Sequence, residues 1–71
     1  MSGPVPYNEI AELLEDLPKH VKELRTSRGM SPRAVGKDAG VSYATIYRFE
    51  GGRTVSAYSL VQLLRWLGRT S

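Results

Sequence analysis

Glycine sets the limits on what this chain can become. Gly29, Gly40, the pair Gly51-Gly52 and Gly68 cut residues 29–68 into short pieces. The pieces between the cuts carry apolar residues at helical spacing. Leu60, Leu63, Leu64 and Leu67 fall at i, i+3, i+4, i+7, the clearest such stripe in the sequence. No alternating β pattern persists, and no repeat or low-complexity tract interrupts the run. A chain divided in this way is expected to be all-α, built from short helices that each need neighbours to cover an apolar face.

The chain has 71 residues, enough for one domain. A fold this small buries only about 60% of the surface its unfolded chain exposes, so its core is marginal. There is no cysteine to add a disulfide or a thiolate metal site. Neither a secretory pattern nor an apolar run of membrane-spanning length is visible. The expectation is a soluble protein of the cytoplasm, in a bacterial host cell.

Five short helices are predicted. Residues 1–6, MSGPVP, read as a flexible arm. Residues 7–17 read as an additional amphipathic helix, with Asn8 as its cap and Ile10, Leu13, Leu14 and Leu17 as its stripe. Pro18 is expected to end that helix or open the next, because it cannot donate a hydrogen bond inside one. The second helix then runs from Pro18 to about Arg28, with Leu17, Val21 and Leu24 inward. Ser31-Pro32 starts the third, as a capping serine before a first-turn proline. Its inward positions are Val35, Gly36 and Ala39. Ser42 caps a fourth carrying YATIYRFE, with Ile46 and Phe49 inward. Ser56 caps the last, which Gly68 is expected to end, leaving a tail at 69–71. Trp66 is expected about 110° from the centre of the last helix's leucine stripe. The predicted N-terminal helix is expected to cover it.

Charge divides unevenly. Residues 1–16 hold Glu9, Glu12, Glu15 and Asp16 with no Lys or Arg, a net −4. Residues 17–71 hold all ten basic residues against Glu23, Asp38 and Glu50, a net +7. That density suits a polyanion partner, although a solvated basic surface would look the same by composition.

The pieces 31–39, 40–42 and 43–50 are two short helices joined by a three-residue turn containing glycine, the layout of a helix-turn-helix. Gly40 can take the left-handed backbone of such a turn without a Cβ penalty. Val41 is placed to plug the angle between the helices. The segment SPRAVGKDAGVSYATIYRFEGG resembles the helix-turn-helix of the lambda repressor and Cro family of prokaryotic and phage regulators. VKELRTSRGM resembles that family's first helix, and SLVQLLRWLG its fourth. The resemblance spans roughly residues 17–68 and rests on Arg25, Ser31, Val35, Gly40, Val41, Ile46, Phe49, Glu50 and Gly52 together.

The resemblance implies binding to a double-stranded DNA operator, with helix 43–50 in the major groove. It implies base reading by Tyr43, Ala44, Tyr47 and Arg48, with Arg48 able to grip a guanine and Ala44 to meet a thymine methyl. Packing is the competing use of the two tyrosines. Phosphate contacts are expected from Ser42, Arg53, Thr54, Arg33 and Lys37, although any single arginine or lysine among them could otherwise be plain solvated surface. Arg25 and Glu50 are implied to form a structural ion pair. Three departures stand out: Pro32 replaces a residue that usually touches phosphate or braces the recognition helix, Gly36 replaces an alanine, and the family's fifth helix has no counterpart. Gly36 is expected to cost the helix about 1 kcal/mol.

No enzyme is expected. His20 stands alone, without a partner at metal-ligand spacing, and reads as a surface residue. The acidic cluster at 9–16 reads as a solvated face. No cofactor, metal, small-molecule ligand or membrane is implied. Two copies are expected to pair at most weakly, on DNA. The alternative reading is a protein-interaction or antitoxin-like module acting through the N-terminal leucine stripe.

Overall fold

The computed structural model describes residues 3–70, so Met1 and Ser2 of the predicted arm and Ser71 of the predicted tail lie outside it. Gly3–Pro6 are exposed and non-helical. Four helices follow, not five: α1 Tyr7–Ser27, α2 Pro32–Ala39, α3 Tyr43–Glu50 and α4 Ala57–Thr70. No strand occurs among the described residues.

The missing boundary is at Pro18, which lies inside α1. Proline in a helix interior deprives one carbonyl of its donor and costs about 3 kcal/mol. Here the stripe continues in phase across it. Leu17 and Val21, on either side, are both buried, and Leu14 and Leu24 pack against the same core. A break at Pro18 would uncouple those positions, so tertiary burial overrides the local rule. The start of α1 also differs: Pro6, not Asn8, is the capping position, and no side chain caps it. At the far end Gly29, at φ +66°, turns the chain, and the Met30 amide donates to the Arg25 carbonyl at 2.9 Å. This is the glycine-terminated helix end that the sequence predicts.

The core is formed by Leu17 and Val21 of α1, Val35 and Ala39 of α2, Ile46 and Phe49 of α3, and Leu63 and Trp66 of α4. Trp66 is covered, as expected, but as part of the inward face of α4 and not beside it. It is wholly buried, whereas Leu64 is 38% exposed. Helix α4 is turned to bury its bulkiest side chain. The indole N–H then needs an acceptor, and the Asp38 carboxylate supplies one at 2.9 Å. The N-terminal segment does not take the place of the absent fifth helix, because Ile10 and Leu13 remain 42% and 53% exposed. Finally, α4 continues through Gly68 to Thr70. Its last turn is held from outside, by Arg69 donating to the Asp38 carbonyl at 2.5 Å and by Arg28 donating to the Thr70 carbonyl.

Candidate nucleic-acid interface

The turn between α2 and α3 is built around Gly36. Its carbonyl accepts from both the Gly40 amide, at 2.8 Å, and the Val41 amide, at 2.9 Å. Gly40 sits at φ +80°, where a side chain would be strained. The turn also folds tightly onto α2. A Cβ on Gly36 would stand 2.6 Å from the Val41 carbonyl oxygen and 3.3 Å from the Tyr43 nitrogen. The glycine that weakens α2 as an isolated helix therefore lets the two backbones meet. Val41 is half-buried and packs against the core between them.

Both helices are capped as the sequence predicts. The Ser31 hydroxyl accepts from the Ala34 amide at 3.1 Å, with Pro32 in the first turn of α2. The Ser42 hydroxyl accepts from the Thr45 amide at 3.2 Å and shares a 2.8 Å hydrogen bond with the Thr45 hydroxyl. Thr45 is buried at 8% exposure and had no role in the sequence reading. Its position three residues after a capping serine is the signal that could have found it. The Ser42 hydroxyl is thus committed to the cap.

Arg25 fixes α1 to the end of α3. Its Nε donates to Glu50 Oε2 at 2.8 Å and its Nη2 to Glu50 Oε1 at 2.9 Å, while Nη1 donates to the Met30 carbonyl at 3.1 Å. The two side chains are only 14% and 11% exposed. This planar two-point pairing is the geometry in which guanidinium binds carboxylate most strongly. The hydrogen bond to Glu50 raises the Arg25 pKa above its ordinary value, burial opposes the rise, and the Glu50 charge adds to it. The ion pair expected from the resemblance is present.

With α3 pinned by Ile46, Phe49 and Glu50, its remaining positions are presented outward. At 100° per residue, Tyr43, Tyr47, Ala44 and Arg48 spread over an arc of about 140°, opposite Thr45, Phe49 and Ile46. Tyr43 and Tyr47 are 42% and 61% exposed, Arg48 is exposed and Ala44 is half-buried. The four base-reading candidates thus share one face. The two tyrosines meet edge-on at 6.1 Å between ring centres, and the Arg33 guanidinium lies over the Tyr43 ring at 4.0 Å. That stack joins the start of α2 to the start of α3, a bracing link of the kind that Pro32, without a donor, does not make. Arg33 supplies it from the next position.

Arg53 and Thr54 are exposed in the loop that Gly52, at φ +80°, turns away from α3. The Arg53 amide closes that turn on the Arg48 carbonyl at 2.9 Å. Lys37 is exposed on the last turn of α2. Among the described residues the side chains of Arg48, Arg53 and Lys37 make no hydrogen bond or ion pair, so their charge is available to a ligand. The one carboxylate on α3, Glu50, is neutralised by Arg25. His20 lies far along the sequence from this face, 3.9 Å from Glu23 on α1, and is exposed as predicted.

Such a surface offers free cations, capped helix starts and a rigid outward helix, which together suit a polyanion with a readable groove. Among the described residues no helix is long and apolar enough to cross a membrane. No curated protein matches the chain significantly. A family model described as a helix-turn-helix domain matches residues 17–70. The match opens at Leu17, the first buried residue of α1, and takes in every core residue together with the Arg25–Glu50 pair. On that match, and on the capped α2–turn–α3 unit it contains, the chain belongs to the helix-turn-helix domain family, whose members of the lambda repressor and Cro type its residues resemble.

Proposed function

We propose that this protein binds double-stranded DNA sequence-specifically and regulates transcription, as a phage or bacterial repressor of the Cro-like kind. In this reading α3 enters the major groove, Arg48 grips a guanine edge, Ala44 meets a thymine methyl, and Tyr43 and Tyr47 pack beside them. Arg53, Thr54, Lys37 and the amides at the start of α3 hold the phosphates, and Arg33 contributes a charge there while it braces Tyr43. The observation that carries the reading is the outward arc of α3. It is fixed from behind by a partly buried ion pair and carries an arginine with no partner of its own.

The reading assigns the protein no catalytic chemistry and no cofactor, and it places the chain with the DNA in the host cytoplasm. Two copies on a palindromic operator would place their α3 helices about 34 Å apart, one turn of duplex. Selection of bound sequences from a randomised duplex pool tests it. Enrichment of one motif is expected, and binding confined to residues 7–17 with no duplex preference would favour the protein-interaction alternative. Arg48→Ala should then weaken the selected site by about 1–3 kcal/mol and relax preference at one base pair. Arg53→Ala should weaken all sequences alike and lower the slope of log affinity against log salt by about 0.9.

A further inference from the structure

The outward arc of α3 lacks the side chains that read most bases. In the major groove adenine is gripped by Asn or Gln, and cytosine by Asp or Glu. Among Tyr43, Ala44, Tyr47 and Arg48 there is neither an amide nor a carboxylate. Glu50, the carboxylate of α3, accepts from Arg25 through both its oxygens. The hydroxyls of Ser42 and Thr45 bond to each other, and that of Ser42 also holds the cap. What remains is Arg48 for guanine and, beside it, carbon: the Ala44 methyl and two exposed tyrosine rings. A tyrosine hydroxyl both donates and accepts, so it does not by itself distinguish one base edge from another. A ring can, because the one methyl group among the four base edges of the major groove is that of thymine.

The tyrosines are also held in place. The Arg33 guanidinium lies 4.0 Å from the centre of the Tyr43 ring, a cation–π contact, and Tyr47 meets that ring edge-on at 6.1 Å. Rings ordered before the ligand arrives lose little freedom on docking. We infer that Tyr43 and Tyr47 are specificity-determining residues that recognise pyrimidine 5-methyl groups, so that 5-methylcytosine is accepted where thymine is. The inference rests on the DNA-binding reading proposed above and gives it a substrate class: duplexes that set a guanine, for Arg48, beside 5-methylpyrimidines. The purine opposite each methyl goes unread, since the arc has no group selective for it. Cytosine methylation therefore strengthens binding at sequences in which cytosine stands in the place of thymine.

The test uses the full chain and the duplex enriched from the randomised pool, with the first changes made in the DNA so that the protein's fold is untouched. Deoxyuridine in place of thymidine removes the 5-methyl and nothing else. Exchanging the thymines one at a time should weaken binding about fourfold at one or more positions, the worth of one buried carbon. At those positions 5-methylcytosine should bind more tightly than cytosine by about the same factor. Replacing the opposite adenine by 2-aminopurine, which takes the amine out of the major groove, should change binding by less than about twofold. In the protein, Tyr43→Phe and Tyr47→Phe should keep the ratio of thymine to uracil affinity, whereas Tyr43→Ala and Tyr47→Ala should each bring it to about one at one position. That ratio is measured on a single preparation, so a partly unfolded variant does not distort it. An enriched site without thymine, or one whose thymines all tolerate uracil, overturns the inference and leaves the DNA-binding reading standing. A ratio that survives both alanine variants overturns it equally, because Ala44 alone would then read the methyl. A pool that yields no enriched site overturns the DNA-binding reading and this inference together.

Discussion

Two regions of this chain obey the same helical periodicity and arrive at opposite conditions. In the α2–turn–α3 unit every inward position is spoken for. Val35 and Ile46 are wholly buried, both serines cap, Gly36 admits the facing backbone, and a two-point ion pair holds the far end of α3. In the first ten residues of α1 the stripe is just as regular, yet Ile10 and Leu13 face solvent. Amphipathic spacing therefore says that a face wants covering. It does not say whether the same chain provides the cover. The difference is one of position along the sequence. Residues 31–50 are flanked on both sides by helices that can fold back on them, whereas residues 7–13 precede Leu14, where the packing of α1 on the core begins.

The contrast can be broken most severely at its best-tied point. Glu50→Ala leaves the Arg25 guanidinium largely buried without its carboxylate, at a cost of roughly 3–5 kcal/mol. In a domain this size, a loss of that order should lower the melting temperature by roughly 10 °C or more. Thermal denaturation followed by circular dichroism reads it directly. A variant that melts with the parent would mean that Arg25 relaxes into solvent and that the pair does not pin α3.

A smaller effect is expected at Gly36, and its sign is informative. An alanine there gains about 1 kcal/mol of helix propensity. It also drives a Cβ to within 2.6 Å of the Val41 carbonyl oxygen, an overpacking that costs about 1–3 kcal/mol. Gly36→Ala should therefore be destabilising by about 1 kcal/mol in denaturant unfolding, despite being the better helix former. Stabilisation would show that the turn can retreat from α2.

The smallest effect belongs to the other region. Ile10→Gln should change unfolding free energy, measured on dilute protein, by no more than about 0.5 kcal/mol. The same substitution within the α2–α3 unit, Ile46→Gln, would bury an unpartnered amide and should prevent folding. A large loss from Ile10→Gln at a concentration where the chain is monomeric would show that the N-terminal half of α1 is part of the core after all.

Much of the fold was legible where a residue acts through its own backbone. Gly29 and Gly40 stop helices because their left-handed conformations suit few other residues, and Ser31 and Ser42 start them because a hydroxyl three residues from an amide caps it. Such rules are local and hold wherever the segment lies. The outward face of α3 was also legible, since the inward places of Ile46 and Phe49 leave Tyr43, Ala44, Tyr47 and Arg48 outside. The brace from Arg33 to Tyr43 was less so. It joins two elements across the turn, and only their crossing angle decides which α2 residue reaches the ring.

What the sequence by itself determined about this protein is its helical class, the boundaries of its two short helices, and the group of side chains that α3 presents. The tertiary structure decided that α1 passes through Pro18, that α4 passes through Gly68, and that Trp66 turns inward to Asp38. At Gly68 the hydrogen bonds of Arg69 and Arg28 hold the last turn, whereas at Pro18 and Trp66 burial decides. A proline, a glycine or an indole sets a local preference worth from about 1 to 3 kcal/mol. Burying one large side chain is worth a similar amount, so the neighbours that bury it settle the outcome, and those neighbours are known only once the chain has folded.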